Sequence, residues 1–299
     1  MSIERIGFIG LGVMGEPMCR NLLRKSGAAV IAFDQDRAPL ECLAAEGAVV
    51  AAHTGAVLDG SSVVFLSLPS GEVVRQVAHA VDGLLAHVKP GQVIVDLSTS
   101  PVDTTRALAA EFRQRGADFV DAPVARTRAA AEAGTLSVMV GAEPALFERV
   151  RPLIATFASD ITRCGPVGCG QVVKILNNMV LFETVNALAE AAAIARRSGV
   201  APKLLLETLS KGSADSFALR NHGMKAIVPG EFPLRAFSTE YALKDLSYAL
   251  DLASQVGVKS RGAALVGDIF REAIDAGTGD NYFPVISKLI DAPDTLSKE

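Results

Sequence analysis

Tryptophan is absent from the 299 residues, tyrosine occurs 3 times, and aromatic residues amount to 5% of the chain. Burial must therefore rest on aliphatic side chains, which the 49% hydrophobic content supplies, and a disordered chain is excluded. Cysteine is scarce as well. Cys19, Cys42, Cys164 and Cys169 include no CxxC pair, so neither a disulfide scaffold nor structural zinc is indicated, and a reduced, cytoplasmic setting is the simplest reading. Basic clusters are missing. The 29 Lys and Arg are scattered among 33 Asp and Glu, and a net charge of -4 leaves no footprint for nucleic acid or an anionic membrane. The four histidines, His53, His79, His87 and His222, show no ligand spacing, and no metal is expected. Residues 1–5 run straight into a strand pattern without a leader-like apolar segment, and the apolar stretch 179–195 is broken by Glu183, Asn186 and Glu190. Neither secretion nor a membrane span is expected.

What the chain has is length and 26 glycines. Its length is about twice the usual domain size, which predicts two domains. Short apolar runs at residues 6–9, 29–33, 63–68, 93–97, 119–120 and 136–140 alternate with amphipathic stretches at 14–25, 39–46, 72–78, 104–114 and 144–157. That alternation predicts an α/β domain with a parallel sheet and helical crossovers. The Gly- and Pro-bearing segment 163–168 breaks the pattern, so we place the domains at 1–164 and 165–299. Beyond the break the strands stop. Residues 171–198 read as one interdomain helix of roughly 40 Å at about 1.5 Å per residue, with Gly199 as its C-cap. Residues 202–210 and 239–256 extend an all-helical C-terminal domain, and the alanine-rich long helix suits a homodimer or homotetramer.

Gly10-Leu11-Gly12-Val13-Met14-Gly15 lies between the first strand and the first helix. In this setting Gly10 permits a tight turn, Gly12 lets a pyrophosphate approach the backbone, and Gly15 lets the helix pack closely. Asp34 ends the next strand, where a carboxylate accepts hydrogen bonds from an adenosine ribose diol and repels a 2′-phosphate. The pattern predicts a doubly wound Rossmann domain that prefers NAD to NADP. Arg37 stands near enough in sequence to serve a 2′-phosphate, and Asp34 could instead cap the next helix.

The run Gly7-Phe8-Ile9-Gly10-Leu11-Gly12-Val13-Met14-Gly15-Glu16-Pro17-Met18, with Asn21-Leu22 after it, resembles the opening of the β-hydroxyacid dehydrogenase family. That family includes 3-hydroxyisobutyrate dehydrogenases, tartronate semialdehyde reductases and, more distantly, phosphogluconate dehydrogenases. Asp96-Leu97-Ser98-Thr99, Asp121-Ala122-Pro123-Val124, the run from Gly168 to Asn178 and Lys244-Asp245-Leu246 agree in order and spacing. The resemblance implies an NAD-dependent oxidoreductase that interconverts a small anionic β-hydroxyacid and its semialdehyde. It further implies Lys174 as proton donor and acceptor, Asn178 on the substrate oxygen with Asn177 beside it, and Phe237 and Lys244 at the nicotinamide. Leu68, Pro69 and Thr99 would line the cofactor, and Ser98 and Val124 the substrate.

Physically, Lys174 falls in the first turns of the long helix, where the macrodipole disfavours a cation, so a merely snorkelling lysine is the poorer reading. Reducing an aldehyde requires a proton for the forming alkoxide, and a desolvated ammonium can give it. After Val124 most of the family has Ser-Gly-Gly, whereas this chain has Ala125-Arg126-Thr127. Arg126 offers a planar fork suited to a carboxylate or sulfonate, and the run with Ala131 is similar to the sulfolactaldehyde reductase branch. Arg126 could equally be a surface ion-pair residue, and Arg128 adds a second charge. Sulfolactaldehyde and succinic semialdehyde are therefore alternative substrates. A non-catalytic NAD-binding regulator is a further alternative, against which Lys174 and the lack of a basic arm argue, and Lys174 also argues against imine reduction.

Overall fold

The computed structural model describes residues 5–234 and 236–292; residues 1–4, within the stretch read as leaderless, lie outside them. The chain divides into two compact units, residues 1–174 and 175–299. This division falls inside the long helix, after residue 174, whereas the sequence pattern breaks at residues 163–168.

The first unit is built on strands β1 (Arg5–Ile9), β2 (Ala29–Phe33), β3 (Val49–Val50), β4 (Val63–Leu66), β5 (Val93–Asp96), β6 (Asp118–Asp121), β7 (Val124–Ala125), β8 (Leu136–Gly141) and β9 (Ala158–Gly165). Between them run helices α1 (Gly15–Lys25), α2 (Arg37–Ala45), α3 (Thr54–Leu58), α4 (Gly71–His79), α5 (Leu84–His87), α6 (Val102–Gln114), α7 (Arg128–Ala133) and α8 (Pro144–Ile154). The sheet order is β3-β2-β1-β4-β5-β6-β8-β7, with β9 beside β8. The chain winds outward in one direction from β1 and then in the other from β4, so the strand order reverses between them. In such sheets ligands collect at the carboxyl ends beside that reversal.

Alternate side chains show why the sheet is covered on both faces. In β4, Val63 and Phe65 enter one core cluster with Phe8, Val30 and Val95, while Val64 and Leu66 enter another with Ile9, Ile94 and Phe112. Each fully buried Val, Leu or Phe contributes about 1.5–3 kcal/mol, and strands buried on both faces read as continuous apolar runs. The expected doubly wound α/β architecture is the one observed. Its far edge differs from an all-parallel sheet, because β8 runs antiparallel to β6 and β7. Strand β9 corrects the reading of residues 163–168 as a break: Arg163, Cys164 and Gly165 complete a strand parallel to β8. Its residues after Ala158 are exposed or half-buried, so no apolar run marks it.

The second unit is helical, as expected. Helix α9 (Cys169–Arg197) is followed by α10 (Pro202–Leu209), a π-helical turn over Leu219–Ile227, α11 (Thr239–Gln255), α12 (Arg261–Ala273) and α13 (Ile286–Ile290). Gly199 follows α9 with φ +83°, the left-handed conformation that a helix-terminating glycine adopts. By length and composition α9 could cross a membrane. Its Phe182, Val185, Leu188, Ala189 and Ala192 are instead buried with Leu206, Leu246, Phe270 and Phe283 in this unit's core. Phe182 meets Phe270 and Phe283 edge-on at 5.4 and 5.2 Å between ring centroids.

Candidate functional site

The loop after β1 gives each glycine of the fingerprint separate work. Gly10 has φ +94°, and a Cβ on it would press into the Ser67 carbonyl. A Cβ on Gly15 would collide with the Gly10 carbonyl, so α1 can start this close only with glycine there. Around Gly12 a Cβ would meet nothing within 4 Å. Gly12 thus leaves an open backbone face beside the start of α1, the space a pyrophosphate needs at a helix N-terminus. Leu11, Val13 and Met14 complete the loop, with Leu11 buried and Val13 exposed. Asp34, at the end of β2, accepts hydrogen bonds from the Leu11 and Asp36 N–H groups through its two oxygens. The helix cap is a different residue: Asp36 accepts from Ala38 N–H at the start of α2. These residues fit a dinucleotide.

The ends of β4 and β5 are tied together. The Ser98 hydroxyl accepts from Leu68 N–H at 2.9 Å, Ser98 N–H donates to Asp96, and the Ser100 hydroxyl donates to the other Asp96 oxygen. Gln171 reaches the same loop from α9, donating to the Ser98 carbonyl and accepting from Ser100 N–H. Pro69 and Thr99 flank these bonded positions on the same two loops. Ser98 therefore has a structural bond in addition to the ligand contact the resemblance implies.

One register step away across β5 and β6 lies Asp121. Its two oxygens accept the Gly168 and Gln171 N–H groups at 2.7 and 2.8 Å, capping the start of α9 from a strand nearly fifty residues earlier. Gly141 and Gly170 make room, since a Cβ on either would strike the carboxylate. Lys174 follows in the second turn of α9 and is 9% exposed. The helix macrodipole disfavours a cation at this end of α9, and burial adds to that cost.

Burial pushes both carboxyls up, Asp96 to about 6 and Asp121 to about 6, from 3.8. A carboxyl raised on folding stabilises the fold fully below its unfolded value, and that contribution is lost as pH climbs through the folded value. Stability should then fall between about pH 4 and about pH 6. In Asp96→Asn an amide can donate to Ser100 where the acid must ionise. Melting temperatures measured across this window should show a flatter profile for the variant and no loss at neutral pH; an unchanged profile would count against the assignment.

In the second unit, Asn178 of α9 donates to Asp245 Oδ2 at 2.7 Å and accepts from Asn177 at 3.1 Å. Asp245, 2% exposed, also has Lys244 Nζ 3.0 Å from its Oδ1, and that ammonium sits 3.7 Å above the Tyr241 ring. Phe237 packs against Phe182 and Tyr241. The structure therefore joins Asn177, Asn178 and Lys244 in one network through Asp245. Lys174 stands one turn before Asn178 on α9.

Val124 and Ala125 form the short strand β7, and Thr127 caps α7 by accepting from Ala130 N–H. Between them Arg126 has φ +87°, a conformation glycine adopts freely and arginine does not. Its guanidinium donates to the Thr135 carbonyl and the Ser159 hydroxyl and pairs with Asp160 at 2.8 Å. This is the ion-pair arrangement that the sequence left open beside the anion-site reading, with Asp160 and Ser159 both on β9. Arg128 pairs with Glu132 along α7.

Comparison with known proteins fits this geometry. Residues 5–165 match the family described as the NAD binding domain of 6-phosphogluconate dehydrogenase. Residues 168–290 match the one described as NAD-binding of NADP-dependent 3-hydroxyisobutyrate dehydrogenase. A 2-(hydroxymethyl)glutarate dehydrogenase of Eubacterium barkeri is 36% identical over 285 residues, covering 95% of this chain and 94% of its own. The chain belongs to the β-hydroxyacid dehydrogenase family. As a member it is an NAD(P)-dependent oxidoreductase working between a hydroxyacid and its carbonyl partner. An NAD-dependent L-serine dehydrogenase of Pseudomonas aeruginosa is 33% identical, covering 97% of this chain and 98% of its own. Among solved structures, Mycobacterium tuberculosis 3-hydroxyisobutyrate dehydrogenase with L-serine superposes with a TM-score of 0.88 at 30% identity, covering 97% of this chain and all of that one.

Sequence reasoning passed over three residues of this β-hydroxyacid dehydrogenase. Asp121, Gln171 and Asp245 all lie inside the quoted motifs, but their partners lie 47 to 73 residues away in the chain. For Asp121, after Phe119-Val120, and Gln171, before Val172-Val173, a polar residue beside an apolar run was the available signal.

Proposed function

We propose that the protein interconverts a small β-hydroxyacid and its semialdehyde, with NAD as the cofactor, Lys174 as general acid and base, and Asn178 holding the substrate oxygen. The observation that carries the reading is the buried Lys174 on a helix whose start is anchored by Asp121 and Gln171. When bound, the nicotinamide supplies or takes up the hydride. The chain's own residues manage the proton and the geometry: the Lys174 ammonium protonates the forming alkoxide, and in the oxidative direction its neutral amine accepts the hydroxyl proton. Asp245 fixes the Asn178 amide, and the loops carrying Leu68, Pro69, Ser98 and Thr99 border the cofactor. Dividing the chain at residue 165, the first part binds the cofactor and the second carries Asn178 and Lys244.

NAD is preferred because Asp34 presents a carboxylate at the end of β2, beside the Gly10–Gly15 loop. The names of relatives point to short hydroxyacids such as 3-hydroxyisobutyrate, serine and 2-(hydroxymethyl)glutarate. With the Arg126 guanidinium engaged by Asp160, nothing favours a sulfonated substrate over these. We place the enzyme in the cytoplasm, consistent with four free cysteines. Leu176, Val180, Ala187 and Ile194 are exposed along one line of α9, the apolar seam a homodimer or homotetramer would cover.

Oxidation of NADH and NADPH with methylmalonate, tartronate and succinic semialdehydes and sulfolactaldehyde tests the reading. The expected result is turnover with NADH and a short carboxylated semialdehyde, with NADPH the poorer cofactor. Superior use of NADPH would remove the role given to Asp34, and inactivity with all four would overturn the substrate class.

A further inference from the structure

The histidines have no ligand spacing in the sequence, but folding gathers two of them with an aspartate. His53 stands just before α3 and His87 ends α5, and their rings lie 5.6 Å apart between centroids. Asp82 sits in the turn between α4 and α5, and ligand-type atoms of His53, Asp82 and His87 all fall within 4.8 Å of one another. The two segments are fastened at the backbone: Gly55 N–H and the Thr54 hydroxyl both donate to the Asp82 carbonyl, each at 2.9 Å. The His87 ring lies flat against Gly55, where any Cβ would overlap it. The three side chains therefore start from a frame that holds them together.

We propose that His53, Asp82 and His87 form a binding site for one divalent cation of the zinc class on the first unit. Two borderline imidazoles with one harder carboxylate suit zinc, cobalt, nickel or copper, whereas magnesium and calcium require more oxygen donors. Tetrahedral zinc holds such atoms about 2.0–2.2 Å from the metal, so the three groups must close on one another from their present spacing. The exposed Asp82 and the half-buried rings can rotate to do so. Three protein ligands leave a fourth position for water. Binding has one identifiable cost. His53 Nδ1 now accepts from Ala56 N–H, capping α3, and an imidazole that rotates onto a metal surrenders that bond.

This cost also supplies a clean test, because asparagine is as good a cap as any residue and cannot replace imidazole as a ligand here. The purified protein, treated with chelator and dialysed, is titrated with CoCl2 and followed by absorption, and with ZnCl2 by calorimetry. The expected result is one ion per chain, with the weak-to-moderate cobalt bands of nitrogen and oxygen ligands. His53→Asn and Asp82→Asn should each weaken binding by more than the about 10- to 100-fold that loss of an outer-shell partner costs. Both variants should keep the wild-type melting temperature and NADH turnover in the absence of metal. No binding, binding unchanged in the two variants, or intense thiolate-to-cobalt bands placing the ion at a cysteine would each overturn the site.

Discussion

Replacing Lys174 with alanine should lower turnover by on the order of 10²- to 10⁴-fold while NADH affinity stays near the wild-type value. The change removes the group that protonates the substrate oxygen and leaves the Gly10–Gly15 loop and Asp34 untouched. Because Lys174 is buried near the start of α9, thermal melting is measured beside the kinetics so that loss of chemistry is separated from loss of fold. Loss of activity in a protein of undiminished stability is the signature of chemistry rather than of folding. Steady-state kinetics, NADH binding by fluorescence and thermal melting decide it together. Turnover within a few-fold of wild type would end the assignment, and parallel loss of stability and activity would make Lys174 a structural residue.

Asp121→Ala should act through position. The alanine abandons the Gly168 and Gln171 N–H groups at the buried start of α9. An unsatisfied buried donor costs about 1–3 kcal/mol, so the loss should approach about 3 kcal/mol, offset in part because the ionised carboxylate was itself costly to bury. For a chain of this size 1 kcal/mol moves the melting point by about 2–4 °C, which predicts a drop of up to about 10 °C. Lys174 lies three residues beyond the second of these N–H groups, and misplacement of a catalytic group by about 1 Å can cost about 100-fold. The expected kinetic pattern is a fall in kcat with little change in NADH affinity. Asp121→Asn keeps one acceptor and should fall between the variant and the wild type. An Asp121→Ala enzyme that melts lower yet retains full kcat would show that Asp121 supports the fold alone.

The parts of this enzyme that were legible in the sequence are those whose partners are near in the chain. Gly10, Gly12 and Gly15 constrain one loop, and their spacing says so without any knowledge of the fold. The alternating apolar runs showed the doubly wound sheet because strands buried on both faces must be continuously apolar. The edge was less visible: β3 and β7 have two residues each, and β9 presents Asp160, Thr162 and Arg163 without an apolar run. Arg126 stayed open between two readings for a different reason. Its side-chain chemistry suggested an anion site, but its Asp160 partner lies 34 residues on, and the left-handed backbone that glycine would favour is invisible without coordinates. Separation along the chain likewise hid Asp245 behind Asn178, 67 residues apart, and the meeting of His53 with His87.

Transfer of the label from NADH carrying deuterium at the reactive nicotinamide carbon, followed by mass analysis and NMR of the product hydroxyacid, tests the central claim most directly. Direct interconversion of hydroxyacid and semialdehyde predicts one deuterium on the carbinol carbon, absent when the label sits on the opposite face of the ring, and label transfer slowed at least 10²-fold in Lys174→Ala. Product without deuterium on that carbon, or equal label transfer by wild type and Lys174→Ala, would contradict it.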